Sequence, residues 1–81
     1  MIRVQLMEGP ECGLCEETLA VLRRLSRRTP LDIERVDVTR DGGLLDRYVM
    51  RVPVLVVGDS ELDAAGIDDA AIRRWLDEVG R

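Results

Sequence analysis

The first half of the chain changes hydrophobic period twice, and few folds accommodate that. Ile2, Val4 and Leu6 alternate with Arg3 and Gln5, the two-residue repeat of a strand, and Gly9-Pro10 stops it. From Gly13 the apolar residues recur at helical spacing, with Leu14, Val21 and Leu25 on one flank and Cys15, Leu19 and Leu22 on the other. They predict a helix with a broad core-facing stripe, running to about Arg28 and ended by Thr29-Pro30. Residues 31–38 return to a strand pattern. Its phase slips between Ile33 and Val36, which suits an edge strand with a bulge. A strand-helix-strand start implies a parallel pair joined by a right-handed crossover.

In the second half, Asp41 caps a short helix holding Leu44, Leu45 and Tyr48, although Gly42 and Gly43 weaken its propensity. Residues 52–57 are apolar and β-branched without interruption, the mark of a buried strand. Gly58-Asp59 turns the chain into a further strand over 60–64. Asp68 then caps a last helix with Ile72, Trp75, Leu76 and Val79 on one face. The economical arrangement is an α/β fold: one four-stranded mixed sheet with helices on both faces. Eighty-one residues hold one core, so residues 1–81 are expected to form a single domain. The apolar content of 46% is nearly all aliphatic, and the 35% of charged residues are mixed in sign, so a packed core is a better reading than disorder.

Charge removes other classes. A net charge of -4 argues against nucleic-acid binding, which needs a basic stripe to displace counterions. Arg23, Arg24, Arg27 and Arg28 resemble a polybasic patch, but they close a helix whose first turn carries Glu16 and Glu17, as the helix dipole prefers. The longest apolar stretch, residues 52–57, is far too short to span a membrane, and residues 1–7 lack the pattern of a signal peptide. A cytoplasmic location is therefore expected. In that compartment two cysteines point to redox or metal chemistry more than to a structural staple.

Cys12-Gly13-Leu14-Cys15 falls where the first strand gives way to the first helix. Unpaired amides and the positive end of the dipole lie there. Both stabilise a thiolate, so the Cys12 pKa is expected below the free value of about 8.5. Cys15, one turn in and facing the core, is the less ionised thiol. Cys12 would attack a substrate disulfide, and Cys15 would resolve the mixed disulfide. A structural bridge is the weaker reading, because so short a loop gains little from closure. Structural zinc wants four Cys or His ligands, and this chain has two cysteines and no histidine. No metal site within one chain is expected. Arg51-Val52-Pro53-Val54 is the second signal, since proline is tolerated at the opening of a buried strand. With a cis bond at Pro53, the Val52 backbone would turn toward the first helix and could pair with a substrate peptide. With a trans bond, Pro53 merely starts a strand.

The ordered set Cys12-Gly13-Leu14-Cys15-Glu16-Glu17, Val36-Asp37-Val38 and Arg51-Val52-Pro53-Val54 resembles the glutaredoxins across essentially the whole chain. It is most similar to the compact bacterial glutaredoxin-like proteins of the thioredoxin superfamily. The resemblance implies a thioredoxin-like fold of glutaredoxin type, with three helices flanking the sheet, an exposed nucleophile at Cys12 and a cis Pro53. It also implies that Ala65-Gly66-Ile67-Asp68-Asp69 matches the segment that helps glutaredoxins hold the γ-glutamyl end of glutathione. Gly66, Ile67 and Asp68, with Val52 and Pro53, are thus the candidate substrate-binding residues, although Asp68 also reads as a plain helix cap. Two departures stand out. Ordinary glutaredoxins carry a Lys shortly before the first Cys and a Tyr inside the motif, whereas this chain has Met7 to Glu11 and Leu14. Glu8, Glu11, Glu16 and Glu17 would oppose a thiolate and repel anionic glutathione, unless Arg47 or Arg51 supplies positive charge. A less acidic Cys12 and weaker glutathione use than in an ordinary glutaredoxin are expected.

The leading expectation is a thiol–disulfide oxidoreductase that reduces protein or glutathione mixed disulfides. Its partners would be protein disulfides, with glutathione or a thioredoxin-type reductase as candidate electron donor. No tightly bound cofactor is expected, glutathione being a candidate co-substrate, and the expected state is a monomer. Two other readings stay open: a redox-inactive protein-binding module on the same scaffold, and a glutathione-dependent iron–sulfur carrier formed by two chains.

Overall fold

A computed structural model describes residues 1–80. The elements are β1 (Ile2–Glu8), α1 (Gly13–Leu25), β2 (Leu31–Asp37), a 3-10 turn (Val38–Arg40), α2 (Gly42–Tyr48), β3 (Val54–Val57), β4 (Ser60–Asp63) and α3 (Asp69–Val79). The strands form one mixed sheet in the order β2-β1-β3-β4. β1 runs parallel to β2 and antiparallel to β3, and β3 pairs antiparallel with β4. This is the thioredoxin-like arrangement that the sequence pattern and the family resemblance led us to expect.

Both sheet faces are covered, which explains why β3 is apolar at every position and why β1, alternating at its start, is apolar at both Leu6 and Met7. Val4, Leu6, Leu31 and Leu55 pack on one face with Leu19 and Leu22 of α1 and Ile72 and Leu76 of α3. Met7, Val54 and Val56 pack on the other with Val38 and Tyr48. The slipped phase of β2 has the same origin. Its register with β1 is continuous from Ile2 opposite Leu31 to Glu8 opposite Asp37, so the expected bulge is absent. Ile33 packs with the α1 side and Val36 with the α2 side. The strand changes the face on which it buries side chains without losing a residue of pairing.

Each helix starts on a side-chain cap. Asp41 Oδ1 accepts from Leu44 N–H at 3.0 Å, and Asp68 Oδ1 accepts from Ala71 N–H at 2.8 Å. α1 is shorter than the expected run to about Arg28. It closes at Leu25, and Arg27 and Arg28 donate to Arg24 and Leu25 in i to i−3 fashion, the tightened last turn common at helix ends. Leu14, assigned above to the buried stripe, is 48% exposed, whereas Cys15 beside it is 1% exposed. β3 and β4 are joined by the two-residue turn Gly58-Asp59, with Gly58 at φ 59°, where glycine carries no steric cost. β3 begins at Val54 rather than at residue 52.

Candidate active site

β1 lies between β2 and β3 and ends at Glu8, so the chain leaves the middle of the sheet and enters α1 within a few residues. Glu11 sits at φ 51°, a left-handed conformation uncommon outside glycine, asparagine and aspartate. Cys12 follows as the N-cap of α1, with extended backbone. Its Sγ accepts a hydrogen bond from Cys15 N–H at 3.1 Å. The sulfur therefore occupies the position of a capping oxygen and satisfies an amide that the helix itself cannot. Cys12 is partly exposed, whereas Cys15 is 1% exposed. The two are joined as a disulfide with their Cα atoms 5.2 Å apart.

The Val52–Pro53 bond is cis. Pro53 is buried, and its carbonyl accepts from Ala64 N–H at 2.9 Å. Val52 leans on the loop that leads to Cys12: a Cβ built on Gly9 would stand 3.3 Å from Val52 Cγ2. Val52 N–H donates to Tyr48 O at 3.0 Å, so of the Val52 backbone groups expected to pair with a substrate peptide the N–H is already engaged. Tyr48 O also accepts from Arg51 N–H at 2.8 Å. Gly66, at φ 75°, and Ile67 share a cavity of about 440 Å³ with Leu14, Thr18 and Asp69. Asp68 turns its carboxylate to Ala71 N–H, and it is Asp69 that faces this cavity, held by Arg24 through bonds of 3.0 and 3.1 Å.

A second cavity, of about 450 Å³, opens on the other side of the motif. Glu8, Glu11, Cys12, Glu16, Arg35 and Asp37 line it together with Gly9 and Gly13. Arg35 Nε and Nη2 grip Glu8 at 2.7 and 3.0 Å, and Nη2 also reaches Glu16 Oε1 at 3.0 Å. Hydrogen bonding to Glu8, and then its negative charge, raise the Arg35 pKa above the ordinary guanidinium value, so this cation does not titrate. The positive charge sought from Arg47 or Arg51 comes instead from Arg35. Arg47 and Arg51 lie by α2, where they pair with Glu61 at 2.8 and 2.9 Å, and Arg51 also binds Asp63 at 2.7 Å.

The Glutaredoxin-like domain family (DUF836) matches residues 3–77. The chain belongs to that family. No curated protein matches it in sequence. Among solved structures, the structural-genomics target protein XcR50 from X. campestris is 30% identical, with a TM-score of 0.79 over 93% of this chain and 96% of that one. The glutaredoxin-like protein NrdH-redoxin from Escherichia coli is 21% identical, with a TM-score of 0.61 over 90% and 93% of the two chains. A mutant thioredoxin from Halobacterium salinarum is 22% identical, with a TM-score of 0.70 over 99% of this chain and 75% of that one. The last two share its fold.

This glutaredoxin-like domain is thus a thioredoxin-like redox fold carrying a Cys12–Cys15 disulfide. Among its described residues no helix is long and apolar enough to cross a membrane. Arg35 is the site residue that sequence reasoning missed. The signal was its parity: in a parallel register that starts with Ile2 beside Leu31, Arg35 pairs with Leu6 and shares a face with Glu8. The phase slip in β2 concealed that register.

Proposed function

We propose that the chain is a dithiol oxidoreductase that reduces disulfides, with Cys12 as nucleophile and Cys15 as resolving thiol. The observation that carries this reading is the Cys12 sulfur itself: partly exposed, seated as the cap of α1, and accepting Cys15 N–H at 3.1 Å. That amide and the helix dipole favour the anion over the neutral thiol. In the reduced protein the Cys12 thiolate attacks one sulfur of the substrate disulfide and the first substrate thiolate leaves, taking a proton from water. Cys15 then loses its proton and attacks the Cys12 sulfur, and the second substrate thiol departs. The substrate gains two electrons, and the protein ends as the Cys12–Cys15 disulfide. Two electrons from a thiol donor restore it.

Protein disulfides and glutathione mixed disulfides are the proposed substrates. The deciding experiment is a reductase-coupled assay run with glutathione and its reductase in one arm and thioredoxin reductase in the other. The expected result is turnover with at least one donor, abolished in Cys12→Ser. Cys15→Ser should accumulate a mixed disulfide visible as an adduct by mass spectrometry. A Cys12→Ser protein as active as the parent would overturn the assignment.

A further inference from the structure

The charge around Cys12 bears on which disulfides the proposed reaction accepts. Four carboxylates line the cavity at Cys12, from β1 (Glu8), the loop (Glu11), α1 (Glu16) and the end of β2 (Asp37), against the single guanidinium of Arg35. That cation is already paired, with Nε and Nη2 on Glu8 and Nη2 also on Glu16. Asp37 accepts from Thr39 and lies 3.7 Å from Arg40. Glu11 has no ion-pair partner among the described residues, and its left-handed backbone holds it at the residue before the sulfur. On the opposite side of the motif, Asp69 is neutralised by Arg24, and Glu17 adds another carboxylate beside the half-exposed Leu14.

We infer that this site selects polypeptide disulfides whose cysteine is flanked by basic residues, and disfavours anionic partners such as glutathione disulfide. The inference rests on the oxidoreductase reading and narrows it. An anionic substrate finds only the paired Arg35 beside the attacking sulfur, while a lysine or arginine next to the substrate cysteine meets Glu11, unpaired among the described residues. Like charges brought together are costly and opposite charges speed encounter, most at low salt. The α1 amides act on the sulfur itself and so favour the thiolate whatever the substrate. The flanking charge acts on the sulfur equally for every partner, but on the partner according to the partner's own charge, and so it decides between partners.

The test uses the reduced full chain and four oxidants: symmetric disulfides of the capped tripeptides Lys-Cys-Lys, Ser-Cys-Ser and Glu-Cys-Glu, and glutathione disulfide. Single-turnover rates are followed by mass spectrometry and divided by the rate of each oxidant with dithiothreitol, which removes intrinsic reactivity. The expected result is a lysine-to-glutamate ratio of about ten or more at low ionic strength, shrinking severalfold in about 0.5 M salt, where the screening length falls to about 4 Å. Glu11→Gln should lower the lysine-to-glutamate ratio severalfold at low ionic strength, a comparison in which any change in Cys12 reactivity cancels, and an unchanged ratio would overturn the role given to Glu11. Equal normalised rates for all four oxidants would overturn the selectivity and leave the oxidoreductase reading standing. Failure of every oxidant to form the Cys12–Cys15 bridge would overturn both.

Discussion

Arg35 is worth considering as a single residue, because its two partners would otherwise be bare carboxylates facing the reacting sulfur. A nearby negative charge disfavours a thiolate, and a guanidinium between them offsets it. Arg35→Met in a Cys15→Ser background should therefore raise the Cys12 pKa by about one unit, at the lower end of the range for a neighbouring charge. Alkylation rate against pH measures this. Adding Glu8→Gln should recover part of the shift, and Arg35→Lys should recover more than Arg35→Met. An unchanged profile in all three variants would show that Arg35 only ties the strands together. Cys12 and Cys15 were legible from spacing and position, since a strand-to-helix junction fixes where the free amides point. Arg35 was not, because its role depends on the β1–β2 register.

Among the elements, α2 and β4 are joined by a knot of charge and hydrogen bonds around Glu61. Glu61 on β4 accepts from the Tyr48 hydroxyl at 2.5 Å and from Arg47 and Arg51, and the two guanidinium carbons each lie 5.4 Å from the Tyr48 ring centroid. This knot fixes the segment that delivers Val52 and Pro53 to the site. The Tyr48 bond, then Arg51, hold Glu61 below the usual carboxylate range; Thr39 does so for Asp37, and Arg24 for Asp69. A carboxylate with a lowered folded-state pKa stabilises the fold above its unfolded value and loses that contribution as pH falls through the folded one. Tyr48 is raised, chiefly by its bond to Glu61. Its contribution is complete below the unfolded tyrosine value, about 10, and fades as pH rises through the folded one. The urea midpoint should thus hold a plateau from about pH 5 to about pH 9 and fall on either side. Glu61→Gln should lower the plateau and flatten both limbs. The helix caps at Asp41 and Asp68 were legible in sequence, because a cap is a local bond. The Glu61 knot was not, because it joins residues from separate elements whose proximity only the folded sheet creates.

At the scale of the molecule, stability is modest and the core is shared between two sheet faces. A chain of 81 residues is expected to hold about 4–12 kcal/mol. Leu22 is fully buried between α1 and the sheet, so Leu22→Ala should cost about 2–5 kcal/mol and remove a large share of that margin. Denaturant unfolding followed by Trp75 fluorescence would read it, and a loss under about 1 kcal/mol would contradict the packing described. The four strands, and helices on both faces of one mixed sheet, were legible from period and turn signals, whereas the β1–β2 register was not. Helix and strand ends were less legible, since α1 stops at Leu25, its last apolar residue, and not at the Thr29-Pro30 breaker. The antiparallel run of β3 against β1 has one more consequence. It carries the Gly58-Asp59 turn to the end of the sheet away from Glu8 and Cys12, and both turn residues are exposed. The molecule therefore has a working end and a blunt end, and a dye, a bead or an electrode linker attached at Asp59 would leave the sulfur open to its partners.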